Sequence, residues 1–251
     1  MLPRKDKFDL PAGVIYLDGN SLGPLPKGAL ARAETVITEQ WGQQLIRAWN
    51  SAGWMDLPVK VGDRLAPLIG APKGSVATGD TLSIKVYQAR AAALKMRPER
   101  KVILSDSGNF PSDLYMAQGL IETIGGDLSL KTPAPEAVLD AIDETIAVVM
   151  LTHVDYRTGR LHDMHAITKA AHRAGAVMVW DLAHSAGAMA LDLAGCDAEF
   201  AVGCTYKYLN GILVLAYRLF HCLKNGIPCQ SCHHFLFDVY LHDCRIDQCR
   251  N

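Results

Sequence analysis

The stretch Ile146-Ala-Val-Val-Met-Leu-Thr-His153 is an apolar run that ends in polar residues. Met164-His-Ala-Ile-Thr-Lys-Ala-Ala-His-Arg-Ala-Gly175 comes next, with apolar positions at helical spacing and a glycine stop. A second apolar run, Ala176-Val-Met-Val-Trp180, ends at Asp181. Short runs rich in β-branched residues, separated by one helix, read as a strand–helix–strand unit. Such a unit needs a crossover connection, so its two strands lie parallel in one sheet.

The same alternation extends in both directions. Upstream, Lys101-Val-Ile-Leu104 is a short strand followed by a helical pattern from Ser112 to Ile124, and downstream Phe200-Ala-Val-Gly-Cys204 is a further strand. Thr81–Arg97 is rich in Ala and Leu and stops before Pro98, which predicts a helix. Helices are also expected over Val59–Ile69, ending at Gly70-Ala-Pro72, and over Gly28–Arg47. Tyr16-Leu-Asp-Gly-Asn-Ser-Leu-Gly-Pro-Leu-Pro26 is turn chemistry. The expected fold class is therefore α/β, a three-layer α/β/α arrangement around a mainly parallel sheet.

In such sheets ligands collect beyond the carboxyl ends of the strands. The apolar runs are succeeded in turn by Asn109-Phe110-Pro111-Ser112-Asp113, Thr152-His153-Val-Asp155, Asp181-Leu-Ala-His184 and Tyr206-Lys207. Carboxylates, a histidine, an aromatic ring and a lysine are thereby expected on one rim.

Composition narrows the class. Among 251 residues, 49% are hydrophobic and 20% charged, with 25 Lys+Arg against 26 Asp+Glu and a net charge of −1. No basic excess points to nucleic acid or anionic lipid. No apolar run approaches the roughly 18 residues of a membrane span. No signal-peptide core follows Met1, so a soluble cytoplasmic protein is expected. The averages hide a break at Gly211. Residues 1–211 hold 20 of 21 glycines and two of seven cysteines, whereas residues 212–251 hold five cysteines and four of nine histidines. Three parts are expected: a 1–60 segment with a substrate-side loop and helix, a 61–211 large domain, and a 212–251 Cys/His-rich tail.

Each candidate residue has a plain and a functional reading. Asp181 at a strand end is a turn or helix cap, or a carboxylate that pairs with a cationic ring nitrogen as in pyridoxal phosphate (PLP) enzymes. Lys207, flanked by Tyr206 and Tyr208, is a solvated charge, or an amine whose pKa burial lowers for Schiff-base chemistry. Phe110 is core, or a platform for a planar cofactor. Ser83 and the backbone N–H groups at the start of the 81–97 helix form a natural phosphate cradle. No GxGxxG or GxxxxGK[ST] follows a strand.

Tyr16-Leu-Asp-Gly-Asn-Ser-Leu-Gly23, Asn109-Phe-Pro-Ser-Asp113, Arg157-Thr-Gly-Arg160, Asp181-Leu-Ala-His184 and Cys204-Thr-Tyr-Lys-Tyr-Leu-Asn-Gly211 together resemble kynureninases, most closely the bacterial type. These are fold-type I PLP enzymes near the class-V aminotransferases, and the resemblance spans Phe8 to Gly211. It implies PLP as cofactor, bound covalently by Lys207, with Asp181 on the pyridine nitrogen and Phe110 stacked on the ring. Pro111, Ser112 and Asp113 would lie close by. Leu82, Ser83, Tyr206 and Thr152 would hold the phosphate or ring substituents, and His184 would complete the set. Lys207, Asp181 and Tyr206 would be the catalytic residues, with no metal. Asn20, Ser21 and the Trp49-Asn50 to Trp54 stretch would line the substrate pocket. The implied reaction is hydrolytic Cβ–Cγ cleavage of L-kynurenine to anthranilate and L-alanine, with 3-hydroxykynurenine as a second candidate substrate. This belongs to tryptophan catabolism and the kynurenine route to NAD, in a cytoplasmic homodimer.

The resemblance stops at Gly211. The tail beyond it has two readings: a disrupted reading frame, or a metal-binding appendage built on Cys229-Gln-Ser-Cys232-His-His234 with His242 and Cys244. The absence of a second CxxC favours the first. The alternative function is accordingly a truncated, inactive remnant that at most binds PLP.

Overall fold

The computed structural model describes residues 4–211 and the backbone of 216–220. Two short strands, β1 (Phe8–Asp9) and β2 (Leu25–Pro26), pair antiparallel near the N-terminus. The other strands are β3 (Val76–Gly79), β4 (Val102–Leu104), β5 (Ser129–Lys131), β6 (Ile146–Thr152), β7 (Val177–Asp181), β8 (Phe200–Cys204) and β9 (Ala216–Phe220). They form one sheet in the order β3-β9-β8-β7-β6-β4-β5. From β8 to β5 all pairings are parallel, while β9 runs antiparallel between β3 and β8.

Every residue of β6, β7 and β8 is buried, so both faces of the central sheet are covered. Period-two alternation divides their side chains between two cores. Val148, Met150, Val177 and Val179 face one core, shared with Val86, Ala89 and Ala93 of α5 (Leu82–Lys95) and Leu120 of α6 (Pro111–Ile124). Val149, Leu151, Met178 and Trp180 face the other. There they meet Met164, Ile167 and Ala171 of α7 (Met164–Ala174) and Leu65 of α4 (Leu57–Leu65). This is the expected three-layer fold.

Local chemistry sets the helix limits. Thr81 accepts the Ile84 N–H at the start of α5, and Asp163 accepts the Ala166 N–H at the start of α7. Gly70 (φ +64°) and Gly175 (φ +77°) stop the preceding helical segments in the left-handed conformation. Gly62 lets α4 approach β3 closely, because a Cβ there would overlap the Val76 carbonyl.

The single helix expected over Gly28–Arg47 is instead broken. It comprises α1 (Ala29–Thr35), a π-helical turn Val36–Trp41, α2 (Gly42–Gln44) and a 3₁₀ turn Leu45–Arg47, followed by α3 (Ala48–Ser51). Thr35 and Thr38 hydroxyls bond back to the Ala31 and Glu34 carbonyls, which bends a helix, and Leu45 takes φ +51°. From α1 to the 3₁₀ turn no residue is buried, so no core enforces regularity. Strands β3, β5 and β9 go beyond the strands that the sequence pattern predicts. β9 lies past Gly211, where the resemblance to the family ends, and the candidate CxxC ligands lie outside the described residues.

Candidate active site

β4, β6, β7 and β8 are parallel, and each opens at its carboxyl end into a loop that carries polar residues. β3 runs in the same sense, being antiparallel to β9, so the start of α5 reaches the same rim. Among the described residues these loops bury Asn109, Asp113, Thr152, Asp181, His184 and Lys207, each at most 7% exposed. Such a concentration of buried polar groups is rarely structural alone.

Lys207 follows β8, and its ammonium lies 5.8 Å from the ring centroids of both Phe110 and Tyr206. Burial pulls its pKa below the usual lysine value, opposed by the charges of Cys204, Asp181 and Asp113. Its Nζ donates to His184 Nε2 at 2.7 Å. His184 in turn bonds through Nδ1 to Asn20 Oδ1 at 2.6 Å. Burial, with the Lys207 charge next, lowers the His184 pKa to about 4, so the ring is neutral near pH 7.

Asp181, the last residue of β7, accepts the Ala183 N–H at 2.8 Å, and the Thr152 hydroxyl lies 3.2 Å from its other oxygen. Thr152 also bonds to Asn109 Oδ1, which accepts the Phe110 N–H at 2.7 Å. These links hold the 109–110 loop against the strand ends. Asp113, in the first turn of α6, is fully buried, and neither of its carboxyl oxygens has a hydrogen-bond partner among the described residues. Burial raises the pKa of both aspartates, and Asp181 raises Asp113 further. Among the described residues donors reach Asp181 and not Asp113, so Asp181 is the better site for the negative charge and Asp113 for a proton.

Arg90, fully buried on α5, lies within reach of both aspartates' charges. One of its nitrogens donates to the Asp113 carbonyl, while Nε and Nη2 have no partner among the described residues. Burial lowers its pKa to about 10, opposed by the charges of Asp113 and Asp181.

The residues expected from sequence divide accordingly. Lys207, Tyr206, Phe110, His184, Asp181 and Thr152 are joined by hydrogen bonds or ring contacts, the last two through Asn109, and Asp113 lies near enough for the Asp181 charge to raise its pKa. Leu82 and Ser83 begin α5, where first-turn N–H groups have no intrahelical partner. Pro111 and Ser112 begin α6, adjoining Phe110 in the chain rather than bonding to the Lys207 group. Trp49 and Trp54 pack edge to face on each other at 6.0 Å, and Trp54 donates to Gln40 at 2.9 Å, apart from that group. Asn20 does reach the site, but through His184.

Sequence reasoning missed Arg90 and Tyr156. Arg90 could have been noticed as a lone cation within the Ala-rich Gln88-Ala-Arg-Ala-Ala-Ala93 run. Tyr156, whose ring lies 5.0 Å from Phe110 and 6.1 Å from His184, left no such signal.

The class-V aminotransferase family model matches residues 16–225, past the Gly211 boundary. Kynureninase from Burkholderia pseudomallei (strain 1106a) is 55% identical over 216 residues, covering 84% of this chain and 52% of that one. Kynureninase from Pseudomonas fluorescens is 53% identical over the same shares. The chain thus spans about half the length of the curated relatives it matches. Cysteine desulfurase from Thermococcus onnurineus NA1 superposes with a TM-score of 0.70 at 18% identity, over 86% of this chain and 56% of that one. A C-DES variant with glycine covalently linked to its PLP cofactor gives 0.72 at 17%, over 88% and 60%. These two show a shared fold.

Proposed function

This chain belongs to the class-V aminotransferase family, and we propose that its site binds PLP on Lys207 and serves hydrolytic cleavage of L-kynurenine to anthranilate and L-alanine. The reading is supported by the relatives at 53–55% identity, which carry the name kynureninase. The single observation that carries it is Lys207: a buried amine with a lowered pKa, 5.8 Å from two aromatic rings and within the field of Asp181.

The residues present fit the cofactor. Asp113 offers two buried carboxyl oxygens without partners among the described residues, and Asp181 offers a carboxylate at a strand end. A cationic ring nitrogen beside Asp181 would meet negative charge in a buried setting, where that charge is felt strongly. In this reading Leu82 and Ser83 hold the phosphate with the first-turn N–H groups of α5, and Tyr206 and Thr152 complete that contact. Phe110 and His184 bound the ring, with Pro111, Ser112 and Asp113 at its edge.

PLP, when bound, supplies an electron sink for the charge released at the substrate's Cα and Cβ. The protein's part is orientation and proton transfer. Lys207, when its amine is free, takes the Cα proton and returns it, for which a lowered pKa is an advantage. Asp181 keeps negative charge beneath the site, while His184, neutral at pH 7, accepts a hydrogen bond from Lys207 without adding a second cation. Tyr206, whose pKa burial pushes up to about 12, remains a hydroxyl donor.

Large apolar residues on the N-terminal segment are exposed, including Ile15 (85%), Leu17 (88%), Leu30 (77%) and Ile46 (77%). Patches of this kind suit association, which supports a homodimer. No described helix is long and apolar enough to cross a membrane.

The test is direct. PLP added to the purified chain should produce an absorbance band that borohydride reduction fixes to Lys207, found by peptide mass, and Lys207→Ala should abolish it. Anthranilate release from L-kynurenine then reports turnover. Trapping at another lysine, or none, would reject the cofactor assignment. Trapping without anthranilate would reject the kynureninase activity and leave a PLP-binding chain.

A further inference from the structure

The 16–23 loop carries none of the charges of the site, yet it crosses the segment that bears Lys207. The Gly23 N–H donates to the Tyr206 carbonyl at 2.6 Å. A Cβ at Gly23 would run into the Lys207 carbonyl and into Asn210, so only glycine permits this approach. A Cβ at Gly19 would reach ordinary contact with the Tyr208 ring, 3.7 Å away. Tyr16 closes the loop on itself, its hydroxyl donating to the Leu22 carbonyl at 2.7 Å. Asn20 is thereby held inward.

The orientation of the Asn20 amide follows from its partners. Its Nδ2 donates to the Tyr156 carbonyl at 3.4 Å, and a carbonyl can only accept. Turning the amide over would set two acceptors against each other. Asn20 Oδ1 therefore faces His184 Nδ1 at 2.6 Å and the Tyr208 hydroxyl at 3.4 Å. Because Oδ1 can only accept, Nδ1 of His184 must carry the hydrogen. A neutral imidazole with its hydrogen on Nδ1 presents a lone pair at Nε2, and that atom lies 2.7 Å from Lys207 Nζ.

We propose that Asn20 is a positioning residue: held by the 16–23 loop, it fixes His184 in the Nδ1–H form and so makes Nε2 the acceptor that aims the Lys207 amine. The importance of the aim rests on the reading of Lys207 as the reactive amine; the tautomer does not. The opposite tautomer would point an N–H at an ammonium, leaving Lys207 without this acceptor in a partly apolar setting. Other titratable groups reach the same two side chains. Cys204, Asp181 and Asp113 act on Lys207, and Asp155 acts on His184 from the 154–161 turn.

Nitrogen-15 NMR of the full chain with labelled histidine, with His184 assigned through His184→Gln, reads the tautomer directly. The expected result is Nδ1–H in the parent, loss of that signature in Asn20→Leu, and its return in Asn20→Asp, which restores an acceptor. Tyr208→Phe should leave it unchanged. Borohydride trapping of PLP at Lys207 should slow about fivefold in Asn20→Leu, the worth of one net hydrogen bond, and recover in Asn20→Asp. Nε2–H in the parent, or Nδ1–H persisting in Asn20→Leu, overturns the proposal. So does a tautomer change with no change in trapping rate. If Asn20→Leu does not fold, Asn20→Asp decides: its carboxylate must raise the His184 pKa above the parent's, and an unchanged pKa overturns the assignment. Absence of trapping in every chain would reject the reactive-lysine reading while leaving the tautomer result to stand alone.

Discussion

The rim around Lys207 and the N-terminal segment from Val14 to Val59 invert the usual rule in opposite ways. The rim buries Lys207, Asp181, Asp113, Thr152, His184 and Arg90. The segment exposes Ile15, Leu17, Leu30, Ile37, Trp41, Leu45 and Ile46. Buried charge is costly and persists where chemistry uses it, whereas exposed apolar area persists where something covers it. On the proposed function one region is the reacting centre and the other a contact surface. Asn20 belongs to the second by position and to the first by its bonds.

The largest break in this contrast is expected at Lys207. Lys207→Ala should remove all PLP trapping, while Leu30→Ser and Ile46→Ser should leave it intact, as absorbance and peptide mass would show. Next comes Asp181→Asn, which keeps the shape and removes the charge. Anthranilate formation should fall by at least about 10²-fold, the usual size of a lost electrostatic contact in a site, with trapping at Lys207 still detectable. A drop below about tenfold would move the negative charge to Asp113.

Gly62→Ala breaks the fold and spares the chemistry. Its Cβ would overlap the Val76 carbonyl, so α4 must move from β3 at a cost of about 1–3 kcal/mol, read as a lowered denaturation midpoint.

The pH dependence of stability sharpens the rim side. Burial raises Asp113 from 3.8 to about 8, so between those values the folded chain holds a proton that the unfolded chain has lost. Stability from this group is present below pH 3.8 and declines as pH rises through the window. Asp113→Asn keeps a neutral group there, and its urea midpoint should decline less between about pH 5 and 8 than the parent's. His184 acts oppositely. Its pKa is lowered from 6.5 to about 4, so its contribution is present above pH 6.5 and is lost as pH falls toward 4.

The smallest effect is expected on the contact surface. Leu30→Ser with Ile46→Ser should change unfolding by no more than about 0.5 kcal/mol, the usual range for exposed sites, yet shift the chain toward smaller species in sedimentation.

Much of the fold was legible in sequence where pattern and length agreed. β6, α7 and β7 announced themselves because a fully buried strand must be continuously apolar and a helix covering it must carry a stripe. β3 and β5 did not, because so short a segment as Ser129-Leu-Lys131 becomes a strand only when a neighbour supplies the hydrogen bonds. The Gly28–Arg47 pattern suggested one helix, but no core packs against it to suppress the breaks at the threonines and Leu45.

By itself, the sequence determined the alternation of strands and helices, and with it the rim on which Asp181, His184 and Lys207 fall. Polar residues directly after buried strands have nowhere else to go. Only the tertiary structure decided which of them touch. Arg90 bonded to the Asp113 carbonyl and Tyr156 against Phe110 and His184 depend on distances between elements far apart in the chain. The tautomer of His184 is of the same kind. It follows from one amide of a distant loop, whose orientation is fixed by a carbonyl that can only accept. Hydrogen-bond direction belongs to a three-dimensional neighbourhood, and no local pattern encodes it.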